Sequence, residues 1–248
     1  MRAQGVALSG ETPSRVAASG VAELPAPRSA AAVTKVAGPS RIHIMGGPGS
    51  GKTTLATRLA ASSRLPVRHL DDVARVGGGE GRLRSATERE PLLEAILADD
   101  RWITEGVHLG WTDALLERAD VIVWLDYVSW PRAARRIVRR FVSGAVYEMR
   151  TRPGREKVAR LGDYARSLRS LGGALSQSRQ YYGSDPDQPA SPDFPRSDIP
   201  APVSETLDSR RATLTALDPY DAKLVRCRSA ADVEAFVRTF ERTVAGRS

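Results

Sequence analysis

A chain of 248 residues, 41% hydrophobic and 27% charged, has enough apolar material for a packed core, which excludes wholesale disorder. No apolar run approaches the ~20 residues of a membrane span, the start lacks the apolar stretch of a secretory signal, and a single cysteine, Cys227, excludes a disulfide framework; the expected setting is cytoplasmic and reducing. The formal charge of +8 fits either a nucleic-acid partner or a smaller anion.

Residues 1–39 are rich in Ala, Ser, Gly and Pro without apolar periodicity, and predict a flexible tail. A core over 40–145 follows. Arg41–Met45 (RIHIM) reads as a strand, Lys52–Ala61 as a helix and Pro66–Leu70 (PVRHL) as a second strand. Gly77, Gly78, Gly79 and Gly81 predict a mobile loop. Thr87 and Glu90 have capping-box spacing for a helix to about Ala98, with Pro91 near its first turn. Trp102–Thr104 is a third strand, and Thr112 is placed to cap a helix through Arg118. Val121–Leu125 (VIVWL) is wholly apolar, as a parallel strand covered on both faces should be. A basic helix starts near Trp130, and residues 146–182 extend it as a basic helical lid or insert. Pro186, Pro189, Pro192, Pro195, Pro200 and Pro202 forbid a helix or central strand, so 183–219 is expected to be a linker or loop. Residues 220–248 complete the core, with a fifth strand at Lys223–Arg226. A final helix is capped by Ser229 and carries Val233, Phe236, Val237 and Phe240 on one stripe. Strand–helix alternation of this kind predicts an α/β fold, a doubly wound parallel five-stranded sheet.

Gly46-Gly47-Pro48-Gly49-Ser50-Gly51-Lys52-Thr53 fully satisfies the pattern G-x-x-x-x-G-K-[ST], with an apolar strand before it and a helix after it. Its glycines let several backbone N–H groups turn toward one anion, and the helix adds its positive end. We therefore expect Gly47, Pro48, Gly49, Ser50, Gly51, Lys52, Thr53 and Thr54 to bind ATP, with Lys52 at the β- and γ-phosphates and the Thr53 hydroxyl on Mg²⁺.

Ligands of open α/β sheets sit beyond the carboxyl ends of the strands, where three acidic positions fall. Asp71, ahead of Asp72, can accept the proton of a substrate hydroxyl; its alternative is a helix N-cap. Glu105 can hold a metal-bound water or a substrate hydroxyl, or be a turn acid. Asp126 is a second metal candidate, or a cap for the next helix. The histidines lack ligand spacing: His43 reads as core-adjacent, His69 as packing, and His108 as close enough to the site to touch substrate. Cys227 reads as structural.

The charge is concentrated. Between Pro131 and Tyr182 thirteen basic side chains face three acidic ones, an excess of +10 that is larger than that of the whole chain. Arg135/Arg139 and Arg136/Arg140 are each four apart, so each pair shares a helical face. Like charges so close suit bound phosphates, which guanidinium groups grip bidentately; a solvated basic face or nucleic-acid patch is the alternative. Tyr181 and Tyr182 are suited to stacking on a ring or to packing.

GGPGSGKTT, HLDDV, WITEGVHL and ARRIVRR together resemble the small P-loop kinases of the adenylate kinase and uridine kinase type, over residues 41–145 and weakly 221–244. The pattern is also similar to bacterial adenylate-kinase-like proteins described as DNA topology modulators. The resemblance implies Asp71 as the base on a sugar hydroxyl, Glu105 as an organiser of Mg²⁺ and substrate, and lid arginines that clamp phosphates: Arg136 and Arg140 in catalysis, Arg135 and Arg139 at the nucleotide. Residues 146–220 match no lid of that family. The expectation is an ATP- and Mg²⁺-dependent phosphotransferase for a small hydroxylated or phosphorylated acceptor such as a nucleoside or nucleotide. Its rivals are a nucleic-acid-associated ATPase using the 131–182 segment, for which the four scattered tyrosines offer little base stacking, and a non-catalytic nucleotide sensor.

Overall fold

Short, near-continuous apolar runs make strands of the segments that are buried on both faces. A computed structural model of the chain describes residues 38–77, 81–151, 161–183 and 209–246. Residues 1–37 of the tail expected over 1–39, the glycine-loop tip at 78–80, the basic stretch 152–160 and the proline-bearing segment 184–208 lie outside the described residues. The elements are β1 (Arg41–Met45), α1 (Lys52–Ser63), β2 (Val67–His69), α2 (Leu70–Ala74), α3 (Ala86–Ala98), β3 (Trp102–Glu105), α4 (Asp113–Arg118) and β4 (Val121–Leu125). They continue with α5 (Trp130–Thr151), α6 (Leu161–Gly183), α7 (Arg210–Leu217), a 3₁₀ segment (Asp218–Lys223), β5 (Leu224–Cys227) and α8 (Ala230–Ala245).

All strand pairings are parallel, in the order β2-β3-β1-β4-β5, so the α/β reading holds. The central strands sort their side chains by parity. Ile42, Ile44, Val123 and Leu125 join Leu55 and Leu59 of α1 and Phe236 and Phe240 of α8 in one core. Met45, Ile122 and Trp124 join Trp102, Leu115 and Leu217 on the other face. His43, between Ile42 and Ile44, is fully buried; its Nδ1 lies 2.7 Å from Thr104 Oγ1, and burial pushes its pKa down to about 3. No helix among the described residues is long and apolar enough to cross a membrane.

Several boundaries differ from the sequence expectation. β2 ends at His69 because α2 begins at once, which puts Asp71 and Asp72 in that helix's first turn. The capping box of α3 is Ser85 with Glu88, not Thr87 with Glu90. Ser85 Oγ accepts from Glu88 N–H and Glu88 accepts from Ser85 N–H at 2.8 Å, so the helix starts earlier and Pro91 falls inside it. Thr112 precedes α4 but donates to His108 O at 2.8 Å instead of capping. The fifth strand runs Leu224–Cys227, one residue later than expected. Ser229 does cap α8, in a capping box with Asp232. α7, capped by the Ser209 side chain, falls within the range read as linker or loop; its apolar positions are too few to stand out beside the prolines that precede it.

Candidate active site

The loop between β1 and α1 is shaped by glycine where the backbone leaves the ordinary region. Gly49 and Gly51 have φ of 76° and 105°. A Cβ at Gly49 would come within 2.9 Å of Ala133 O, so the loop is packed directly on the start of α5. A Cβ at Gly47 would lie 2.3 Å from Tyr181 Cδ1, so the far end of α6 presses on the loop from the other side. Tyr181 is buried and its hydroxyl accepts from Trp124 Nε1 at 3.1 Å. Tyr182 packs edge-on against it, and burial pushes the Tyr182 phenol up. The tyrosine pair thus supports the loop; the sequence left packing and ring stacking equally open.

Lys52 folds back over the loop and donates to Gly46 O at 2.8 Å and Gly47 O at 3.3 Å. Thr53 Oγ1 donates to Glu105 Oε1 at 3.0 Å, and His69 Nδ1 lies 2.8 Å from the same oxygen. Glu105 is buried at the end of β3, so His69 has a polar partner that the sequence did not suggest. Asp71 Oδ1 lies 3.0 Å from His108 Nε2, and that hydrogen bond, against the desolvation of the site, holds the Asp71 carboxyl below the usual carboxylate range. Lys52 and Arg75 lower it further by charge.

A cavity of about 610 Å³ collects these groups. The loop, Lys52, Thr53, Thr54, Asp71, Glu105 and His108 line it together with Arg136, Arg140 and residues of α6. Arg136 also donates to Gly49 O and Ser50 O, both at 3.2 Å. The four arginines divide by face. Arg136 and Arg140 face this cavity, whereas Arg135 and Arg139 line a separate groove with Trp130 and Val138. Helical spacing makes the pairs visible in sequence but does not say which pair turns inward.

Asp126 is not brought to Thr53 and Glu105. Its buried carboxylate is held by Arg210 and, at 2.5 Å, by Arg226, which also lies over the Trp124 ring. Arg210 is far away in sequence, in α7, so no local signal linked it to the end of β4. Cys227 is buried, with its thiol pushed up to about 12, in keeping with a structural role.

The pair Thr53 and Glu105 is a hard oxygen donor set. A cation held there by one carboxylate and one hydroxyl would take its other ligands from phosphate and water, as Mg²⁺ does. The loop fits a phosphate chain: Ser50 Oγ is buried without a partner among the described residues, and positive φ at Gly49 and Gly51 is the kind of backbone geometry from which anion-binding concavities are built.

No family model matches the chain. Uncharacterized protein YqaC of Bacillus subtilis (strain 168) is 40% identical over 86 residues, 34% of this chain and 47% of that protein, so the match spans less than half of the relative's length. Among solved structures, a gluconokinase from Sinorhizobium meliloti 1021 aligns with 84% of this chain and 93% of its own at 16% identity and a TM-score of 0.37. An unliganded sugar kinase from Janibacter sp. HTCC2649 aligns with 74% of this chain and 97% of its own at 18% identity and a TM-score of 0.28.

Proposed function

We propose that the chain is an ATP- and Mg²⁺-dependent phosphotransferase acting on a small hydroxylated or phosphorylated acceptor, such as a nucleoside or nucleotide. The observation that carries the reading is the convergence on one cavity of a complete phosphate loop, the Thr53–Glu105 pair, Asp71, and two arginines from a separate helix. Its volume, about 610 Å³, is that of a small-molecule site.

In this reading residues 46–54 hold the triphosphate, and Thr53 and Glu105 hold Mg²⁺, which neutralises phosphate charge when bound. Lys52 exchanges its loop carbonyls for phosphate oxygens. Arg136 and Arg140, on the same cavity, offset the negative charge that spreads over a phosphoryl group in transfer. Asp71 orients the acceptor hydroxyl and accepts its proton. Held low, Asp71 is a weak base, which suits a loose transition state in which the proton leaves late. Catalysis then rests on placement and charge more than on covalent chemistry. The test is acceptor-dependent ADP formation across nucleosides, nucleotides, sugars and antibiotics, with Lys52→Ala as control. The reading expects one acceptor class to stimulate ADP release and Lys52→Ala to abolish it while the circular dichroism spectrum is unchanged. Near-wild-type turnover by Lys52→Ala overturns it.

A further inference from the structure

Asp71 is an exposed carboxylate on a helix of five residues, yet it must point one oxygen at an acceptor. A short exposed side chain does not hold an orientation by itself. The neighbour that holds it is His108, in the stretch between β3 and α4. Its Nε2 lies 3.0 Å from Asp71 Oδ1, and only 10% of its side chain is exposed.

The ring is fixed from several sides. Trp111 packs against it with ring centroids 5.1 Å apart, and the buried Arg89 guanidinium of α3 lies 5.0 Å from the Trp111 ring. The His108 backbone carbonyl is tied down by Thr112 Oγ1 at 2.8 Å. A Cβ on Gly106 would come within 3.2 Å of the His108 ring, so the glycine that ends β3 also makes room for it. Fully buried His43 lies nearby.

The tautomer follows from hydrogen-bond accounting. His108 Nδ1 is buried with no partner among the described residues. An ionised carboxylate can only accept, so the nitrogen 3.0 Å from Asp71 Oδ1 must carry the proton. Nε2–H therefore donates to Asp71 Oδ1.

We propose that His108 is a positioning residue for Asp71: its Nε2–H occupies Oδ1 and leaves Oδ2 as the oxygen that receives the acceptor's hydroxyl proton. This rests on the reading of Asp71 as the base. In the transfer step the acceptor O–H bond breaks, its proton passes to Asp71 Oδ2, and the acceptor oxygen forms its bond to the γ-phosphorus as the bond to the β,γ-bridging oxygen breaks and ADP leaves. His108 gains and loses no proton.

Three measurements test it. In the free protein, nitrogen-15 NMR of the His108 side chain should show a proton on Nε2, with that preference relaxed in Asp71→Ala; a wild-type ring with Nε2 unprotonated overturns the proposal without any assay of turnover. His108→Leu should lower kcat by about tenfold to a hundredfold, with the KM for ATP unchanged. His108→Gln, whose amide nitrogen can stand where Nε2 stands, should keep kcat within about threefold of wild type. Equal losses in the Leu and Gln variants at unchanged thermal stability overturn it. The base reading fails separately: Asp71→Ala with full acceptor-dependent turnover removes both readings, whereas loss in Asp71→Ala with full turnover in His108→Leu removes only the role of His108.

Discussion

Gly47→Ala isolates the contact between the phosphate loop and the arm formed by α5 and α6. Gly47 is not among the glycines with positive φ, so an alanine there meets no backbone strain and its cost is steric. The new methyl would lie 2.3 and 2.6 Å from Tyr181 Cδ1 and Cε1 and 2.8 Å from Tyr182 Cζ. Those atoms belong to rigid rings in a buried site, not to the end of a flexible chain. Overpacking of this kind costs about 1–3 kcal/mol. If the ring moves away, the bond between the Tyr181 hydroxyl and Trp124 Nε1 goes too, at about 1 kcal/mol. Loss of glycine freedom in the unfolded chain returns about 0.4–1 kcal/mol. The net is a destabilisation of about 1–3 kcal/mol. Urea unfolding followed by tryptophan fluorescence should register it as a lower midpoint at unchanged slope. In a Tyr181→Ala background the same substitution should cost about 1–2 kcal/mol less, the remainder being its contact with Tyr182. An equal cost in both backgrounds, or a neutral Gly47→Ala, refutes the packing argument.

The remaining predictions concern charge. His43 has a folded pKa of about 3 against an ordinary 6.5, so as pH falls below 6.5 the unfolded chain binds a proton that the folded chain refuses; stability is full above 6.5 and is lost on acidification. Between pH 6.5 and 4.5 His43 contributes a loss of about 1.4 kcal/mol per pH unit, and His43→Gln should flatten that limb when unfolding is measured across the range. Arg136→Ala/Arg140→Ala should lower kcat by about a hundredfold or more, and Arg135→Ala/Arg139→Ala by less than about threefold, because only the first pair faces the cavity; equal losses would contradict the division of the helix. Asp126→Ala removes the buried carboxylate that Arg226 and Arg210 both hold and should cost about 3–5 kcal/mol in denaturation, while the Mg²⁺ concentration that supports activity stays as in wild type; a shifted Mg²⁺ requirement at unchanged stability would return Asp126 to the metal.

The parallel sheet and its phosphate loop were legible in the sequence because they rest on local physics. VIVWL is apolar throughout because both its faces are covered, and the loop has glycine where φ is positive. Asp71 and Glu105 were legible as strand ends, and the fold places both on the cavity. Pairings between distant segments were not. Glu105 with His69, Asp71 with His108, and Asp126 with Arg210 are each brought together by strand order or by a helix from elsewhere in the chain. WITEGVHL puts His108 near the site but does not say that it pairs with Asp71. The inward face of α5 was also undetermined, since both arginine pairs have the same spacing and only the packing of Ala133 against Gly49 in the phosphate loop sets the rotation.

The strand order gives the two halves of the cavity unequal footing. β1, which carries the phosphate loop, is hydrogen-bonded on both flanks, to β3 and β4, and opening it requires breaking the middle of the sheet. β2, which leads into Asp71, is three residues at the sheet's edge, paired on one side only. Local opening draws on the least protected elements, so the acceptor half can breathe while the nucleotide half stays shut. Sequence change divides in the same way: substitutions around β2 and α2 can reshape what is recognised with little charge on the global stability, whereas those around β1 must be compatible with the core before they can affect any ligand.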